Sequence, residues 1–171
     1  MDLYFLRHAK AALLAPKRGG PDNERALTPE GRQRMKQISR VLTALDLSLD
    51  LILTSPYRRA RQTARIVAEE LHLEKALRLS GHLVPEGDPQ ALLDELDRRF
   101  ATRRSALLVG HEPSLGRILS LVTCGGPGLS VTFKKAGLAK VVCGPPGAEP
   151  RASLEWLLTP SQLLLMVDQP A

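Results

Sequence analysis

The chain has 171 residues, 43% of them hydrophobic and 25% charged, with a formal net charge of +6. These values fit one globular domain over 1–171, and no run of about 20 apolar residues is present to cross a bilayer. The start, MDLYFLRHAK, has an acid at its second position and a short apolar run, unlike the basic start and longer apolar stretch of a secretory leader. Two cysteines, Cys124 and Cys143, are too few for a disulfide framework, so the expected location is cytoplasmic. The positive charge is spread along helical spacings: Arg32, Lys36 and Arg40, then Arg61 and Arg65. This predicts solvated helix faces. Aromatic residues make up 4% of the chain and do not interleave with these charges, which argues against a nucleic-acid partner.

In chain order, Leu3–Leu6 reads as a short buried strand ending at Arg7-His8. A long irregular stretch from Lys10 to Ala26, containing Gly19-Gly20-Pro21-Asp22, follows; in a compact domain such a stretch tends to cover a functional site. Thr28-Pro29 opens a helix with Met35, Ile38, Val41, Leu42 and Leu45 on its apolar face. Leu51–Leu53 is a second strand, and Ser55-Pro56 starts a helix whose core face is Ala60, Ala64, Val67, Ala68 and Leu71. A weak strand near Ala76–Leu79 precedes a helix capped at Asp88-Pro89 and continuing through Leu92, Leu93, Leu96 and Phe100. Ala106–Val109 is the clearest strand and ends at Gly110-His111; Pro113 then opens a helix with Leu115, Ile118, Leu119 and Val122 inward. After Gly125–Gly128, strands are expected near Ser130–Lys134 and Leu138–Cys143. The Gly144-Pro145-Pro146-Gly147 loop, a strand near Ser153–Leu158 and a short helix capped by Thr159-Pro160 complete the chain.

Alternating strands and helices predict a single-domain three-layer α/β/α sandwich with a mostly parallel central sheet. Ligands bind such sheets where strands end and helices begin. Three strand ends carry candidate groups: Arg7-His8, Thr54-Ser55 with the arginines after it, and His111. Two histidines and several arginines at one edge suit a phosphate dianion, because guanidinium grips two oxygens and neutral imidazole can attack phosphorus. Periodicity does not choose among Arg58, Arg59 and Arg61, which all lie off the core face.

Arg7-His8-Ala9, the segment Ser55–Thr63 and Gly110-His111 together resemble the histidine phosphatase superfamily, also called the phosphoglycerate mutase-like family, with alanine in place of the signature glycine. The resemblance covers nearly the whole chain in order and spacing. It implies His8 as nucleophile, with Arg7, Arg59 and His111 binding the phosphate and offsetting charge. Arg59 is selected because the family's pocket arginine stands immediately before Ala-X-Gln-Thr. The stretch Arg25–Gly31 and the brief connection between Leu71 and Ser105 look most like the SixA branch, which removes phosphate from phosphohistidine on signalling proteins.

The resemblance puts a general acid, which some members lack, near Pro85-Glu86-Gly87-Asp88. Asp88 reads as an N-cap before Pro89, which leaves Glu86 as the acid candidate. No cofactor is implied. His8, His111, Cys124 and Cys143 lack the paired spacing of a zinc site, and there is no Walker-type glycine-rich loop. The expected function is therefore a phosphatase with a phosphohistidine enzyme intermediate, acting on a phosphohistidine-bearing protein, without metal or membrane. A phosphatase of small phosphate esters and a non-catalytic binder of phosphorylated ligands are the competing readings.

Overall fold

The computed structural model describes residues 1–13, 21–45, 47–144 and 152–166. Six strands form one sheet: β1 (Asp2–Arg7), β2 (Ile52–Thr54), β3 (Leu77–Leu79), β4 (Ser105–Gly110), β5 (Leu138–Cys143) and β6 (Ala152–Leu158). Their order is β3-β2-β4-β1-β5-β6. The first four strands in that order pair in parallel, and β5 and β6 add an antiparallel edge. Helices α1 (Pro29–Ala44), α2 (Arg58–Glu70), α3 (Pro89–Phe100), α4 (Ser114–Cys124) and α5 (Pro160–Leu165) complete the element order.

Successive strand residues point to opposite faces, and the core divides accordingly. Tyr4 and Leu6 pack with Met35, Ile38, Leu42, Ala64 and Val67 of α1 and α2. Leu3 and Phe5 pack on the other face with Leu92, Leu96, Leu115, Ile118 and Leu119 of α3 and α4. Every residue of β4 is buried, as a central parallel strand covered on both sides requires. The basic spacings noted above lie outside this packing: Arg32, Lys36, Arg40, Arg61 and Arg65 are exposed.

The helix starts follow side-chain caps. Thr28 accepts from Gly31 N at 3.0 Å, and Asp88 Oδ1 accepts from Gln90 N and Ala91 N. Thr159 forms a capping box with Gln162. No helix is long and apolar enough to cross a membrane among the described residues.

Three expectations are corrected. Ser130–Lys134 is not a strand, because its backbone bonds to side chains instead: Phe133 N donates to Glu112 Oε1 at 2.8 Å, and Phe133 O accepts from Arg7 Nη1 at 2.6 Å. Helix α2 begins at Arg58 rather than Ser55, since Ser55 extends the strand by donating its backbone N–H to Val109 O at 3.0 Å. Leu45 ends α1 exposed instead of joining its core face. Leu71, the residue after α2, packs partly buried against the core with the rest of its expected face. The Gly19-Gly20 part of the first loop and the Pro145-Pro146-Gly147 part of the later one lie outside the described residues.

One close approach fixes the first helix against the first strand end. The Lys10 carbonyl accepts from both the backbone N–H and the hydroxyl of Thr28, at 3.0 and 3.3 Å. A Cβ built on Gly31 would stand 2.2 Å from that same oxygen. Gly31→Ala is therefore expected to lower stability by about 1–3 kcal/mol as the backbone is pushed apart. Urea denaturation checks this against Gly81→Ala, where a Cβ meets nothing within 4 Å and the change should stay within about 0.5 kcal/mol.

Candidate active site

Strand register brings the candidate groups together. Arg7 of β1 lies opposite Gly110 of β4, and Thr54 of β2 lies opposite Val109. Continuing past these pairs, His8 N donates to Gly110 O at 3.0 Å. His8, Ser55 and His111 therefore emerge side by side from three adjacent parallel strands. The His8 and His111 ring centroids are 4.9 Å apart, and both residues are buried.

Helix α2 sends Arg59 into this cluster. Arg59 is 4% exposed, while Arg58 and Arg61 face solvent. Its Nε donates to His8 Nε2 at 3.2 Å, and its guanidinium carbon lies 5.0 Å from the Tyr57 ring centre. The residues one turn further along α2 attach neighbouring segments. Thr63 Oγ1 accepts from Ala9 N at 3.1 Å while donating to Arg59 O at 2.8 Å, and Gln62 Oε1 accepts from Leu27 N at 2.8 Å.

The partners of His8 define its protonation. Nδ1 lies 2.7 Å from the Ala9 carbonyl, which can only accept, so Nδ1 carries the proton. Nε2 meets Arg59 Nε, which can only donate, so Nε2 holds a free electron pair. Burial, then the charges of Arg59, Arg7 and Lys135, lower the His8 pKa to about 4, against a partial opposing effect of the Ala9 hydrogen bond. His111 falls to about 3 through burial and the neighbouring His8 and Arg59. Its Nε2 lies 2.9 Å from Ser55 Oγ, which also accepts from Tyr57 N at 3.2 Å.

Arg7 is anchored rather than free: Nη1 donates to Phe133 O, while its buried Nε has no partner among the described residues. Burial lowers its pKa, the charge of Glu112 opposes that shift, and Arg59 adds to it. The Arg7 charge also bears on both histidines. The result is an electropositive recess holding two uncharged imidazoles, which is suited to a tetrahedral dianion.

The model of the histidine phosphatase superfamily (branch 1) matches residues 3–80. The chain is 30% identical over 128 residues to the phosphohistidine phosphatase SixA homolog of Haemophilus influenzae, covering 70% of this chain and 76% of that one. An uncharacterized protein of Picosynechococcus sp. is 37% identical over 96% of this chain and 99% of its own length. The structure of the protein histidine phosphatase SixA complexed with tungstate superimposes with a TM-score of 0.82 at 25% identity, covering 95% of this chain and 99% of the other.

The chain belongs to the histidine phosphatase superfamily, in its SixA-type branch. It is a hydrolase of the phosphatase class. Of the histidine phosphatase residues read from the sequence, His8 bonds to Arg59 and neighbours His111, and Arg7 lies within electrostatic reach. Glu86 is different. It is exposed on the turn closed by Gly87 N donating to Val84 O at 2.9 Å, and no hydrogen bond or ion pair links it to the cluster among the described residues. Asp88 is occupied as the cap of α3.

Sequence reasoning missed Asp22, Tyr57 and Glu112 as neighbours of the site, while Ser55 was among the candidate strand ends. Asp22 lay in an irregular stretch with no periodic pattern, although its spacing to Arg25 allows the ion pair seen at 2.8 Å. Ser55 was read as a helix start; its burial beside His111 is a consequence of β2 and β4 pairing.

The depressed imidazole values have a pH consequence of definite sign. Below the ordinary value of 6.5 the unfolded chain binds protons that the folded one refuses, so stability falls as pH drops from about 6.5 to about 4 and then levels for His8. His8 alone accounts for a loss on the order of 3 kcal/mol across that window. Urea midpoints at pH 7.5 and pH ~4.5 should show a smaller drop for His8→Ala than for the unaltered protein.

Proposed function

We propose that this phosphatase acts on protein-bound phosphohistidine through a phosphoryl intermediate on His8. The observation that carries the reading is the unprotonated Nε2 of His8, which accepts from Arg59 Nε beside the tilted ring of His111. Neutral imidazole is the nucleophilic form. The electron pair on Nε2 forms a bond to phosphorus while the bond from phosphorus to the substrate nitrogen breaks. The departing imidazole takes a proton from solvent. As Nε2 becomes bonded, positive charge spreads over the ring, and the Nδ1–H bond to the Ala9 carbonyl strengthens.

Arg7, Arg59 and His111 surround the transferring group and offset charge on its equatorial oxygens. A phosphoryl oxygen takes over the Nε–H of Arg59 that His8 accepts in the free site. Water then attacks phosphorus as the bond to Nε2 breaks, the electron pair returns to Nε2, and orthophosphate leaves with one water proton while the other passes to solvent. The two guanidinium groups, Arg7 and Arg59, supply the positive charge for both steps.

The state of Glu86 supports a phosphoramidate rather than an ester as substrate. An imidazole leaves with ready protonation, whereas an alkoxide needs a positioned donor. Glu86 is exposed and unlinked to the cluster; the competing ester reading requires it as the acid.

His8→Ala is expected to reduce turnover of a phosphohistidine-bearing protein by at least about 1,000-fold while the circular dichroism spectrum and thermal transition remain folded. A radiolabelled enzyme intermediate should be trapped under alkaline conditions in the unaltered protein and be absent from His8→Ala; turnover at the original rate in that variant overturns the mechanism.

Glu86→Gln is expected to lower ester hydrolysis by about 10- to 100-fold and phosphohistidine hydrolysis by less than about threefold. Parallel assays with a phosphohistidine protein and a panel of sugar and nucleotide phosphates make that comparison. Rates on esters exceeding those on phosphohistidine would assign the enzyme to small substrates.

A further inference from the structure

Arg59 carries five N–H donors in one plane, and the structure divides them between two neighbours. Its Nε edge faces the nucleophilic nitrogen of His8 at 3.2 Å. Its outer end faces Asp22: Nη1 donates to the Asp22 backbone oxygen at 2.6 Å, and Nη2 donates to Oδ2 at 2.8 Å. Asp22 is itself held from behind. Its Oδ1 accepts from Arg25 Nη1 at 2.8 Å, and Arg25 Nε donates to the Ala12 carbonyl at 2.7 Å.

We propose that Asp22 is a positioning residue for phosphoryl transfer: it clamps the outer end of the Arg59 guanidinium so that the Nε edge is the one offered to a phosphoryl oxygen at His8. The proposal rests on the phosphatase reading with His8 as nucleophile. An arginine has many rotamers and two usable forks, and either fork binds a dianion. Only one of them lies beside the attacking nitrogen here. With the outer end engaged twice, rotation about the terminal bonds of Arg59 breaks two charge-assisted contacts of a side chain that is 5% exposed.

The Asp22 carboxylate takes Nη2 of Arg59 and leaves Nε to His8. It also places a negative charge next to an anion-binding group. Binding and rate therefore respond in opposite directions when it is removed. Loss of the charge favours a bound dianion, whereas loss of the clamp spoils its alignment, and small misplacements of a reacting group cost large factors in rate. A general weakening of the fold would lower both.

The test uses the full chain, with a phosphohistidine-bearing protein and p-nitrophenyl phosphate as substrates. Asp22→Ala is expected to lower kcat by about 10- to 100-fold on either. Affinity for inorganic phosphate, measured by calorimetry, should be unchanged or rise by up to about fivefold. Asp22→Asn keeps an oxygen for Nη2 and should recover kcat to within about fivefold of the unaltered protein. An Asp22→Ala kcat within about threefold of the original, or parallel losses of kcat and phosphate affinity, overturns the proposal. If the unaltered protein turns over neither substrate, the phosphatase reading fails, and the Arg59 Nε–H resonance decides the clamp separately. That proton should exchange slowly in the unaltered protein and in Asp22→Asn and rapidly in Asp22→Ala; equal exchange in all three overturns it.

Discussion

Burying two imidazoles beside two guanidinium groups forces the imidazoles to stay uncharged, and the chemistry of the recess follows from that. Arginine keeps its charge even where burial works against it, so the histidines yield, as their values near 4 and 3 record. The same crowding makes a nucleophile of His8 and an anion trap of its surroundings. A dianion entering the recess reverses the balance, because its charge favours a proton on an imidazole that the empty site keeps bare. His111, whose Nδ1 has no partner among the described residues, has a ring nitrogen free for that proton.

Such a concentration of like charge needs rigid support, and the fold supplies it from the backbone. Parallel pairing of β1, β4 and β2 sets His8, His111 and Ser55 in register without any contact between their side chains being required first. Helix α2 then ties the loop beside His8 to the arginine that faces it, since Thr63 holds both Ala9 N and Arg59 O. Gln62 holds Leu27, just ahead of α1, and Gly31 lets α1 come up against Lys10. The recess is therefore framed by strand pairing and by side-chain bonds to backbone groups of segments distant in the chain.

The elements legible in the sequence were those whose apolar pattern matched one period over many residues. Strands β1 and β4 and the inward faces of α1, α2 and α4 follow from such runs, and Asp88 and Thr159 announced their caps. His8 and His111 were legible because a strand end is a defined place. Arg59 was not separable from Arg58 and Arg61 by period; it needed the family resemblance, and its burial at 4% shows the difference between them. Asp22 and Glu112 were hidden because neither belongs to a repeating pattern and each acquires its role from a partner distant in the chain.

The segment Ser130–Lys134 shows why local preference was overridden. Its alternation of small polar and apolar residues suits a strand, and Phe133 does reach the core, with its ring centre 6.3 Å from that of Phe5. A ladder would have claimed its backbone groups. Instead Phe133 N–H binds Glu112 and Phe133 O binds Arg7, so one residue holds a carboxylate and a guanidinium that also act on each other electrostatically. Close packing helps to keep this segment near α4, because a Cβ on Gly116 would stand 3.0 Å from Val131 O. A charged group at the base of an anion site is better fixed by a single irregular backbone than by a strand, since a ladder spends the same carbonyl on a neighbour that carries no charge. The irregularity is thus a consequence of where Arg7 must be held, and the sequence period carries no trace of that demand.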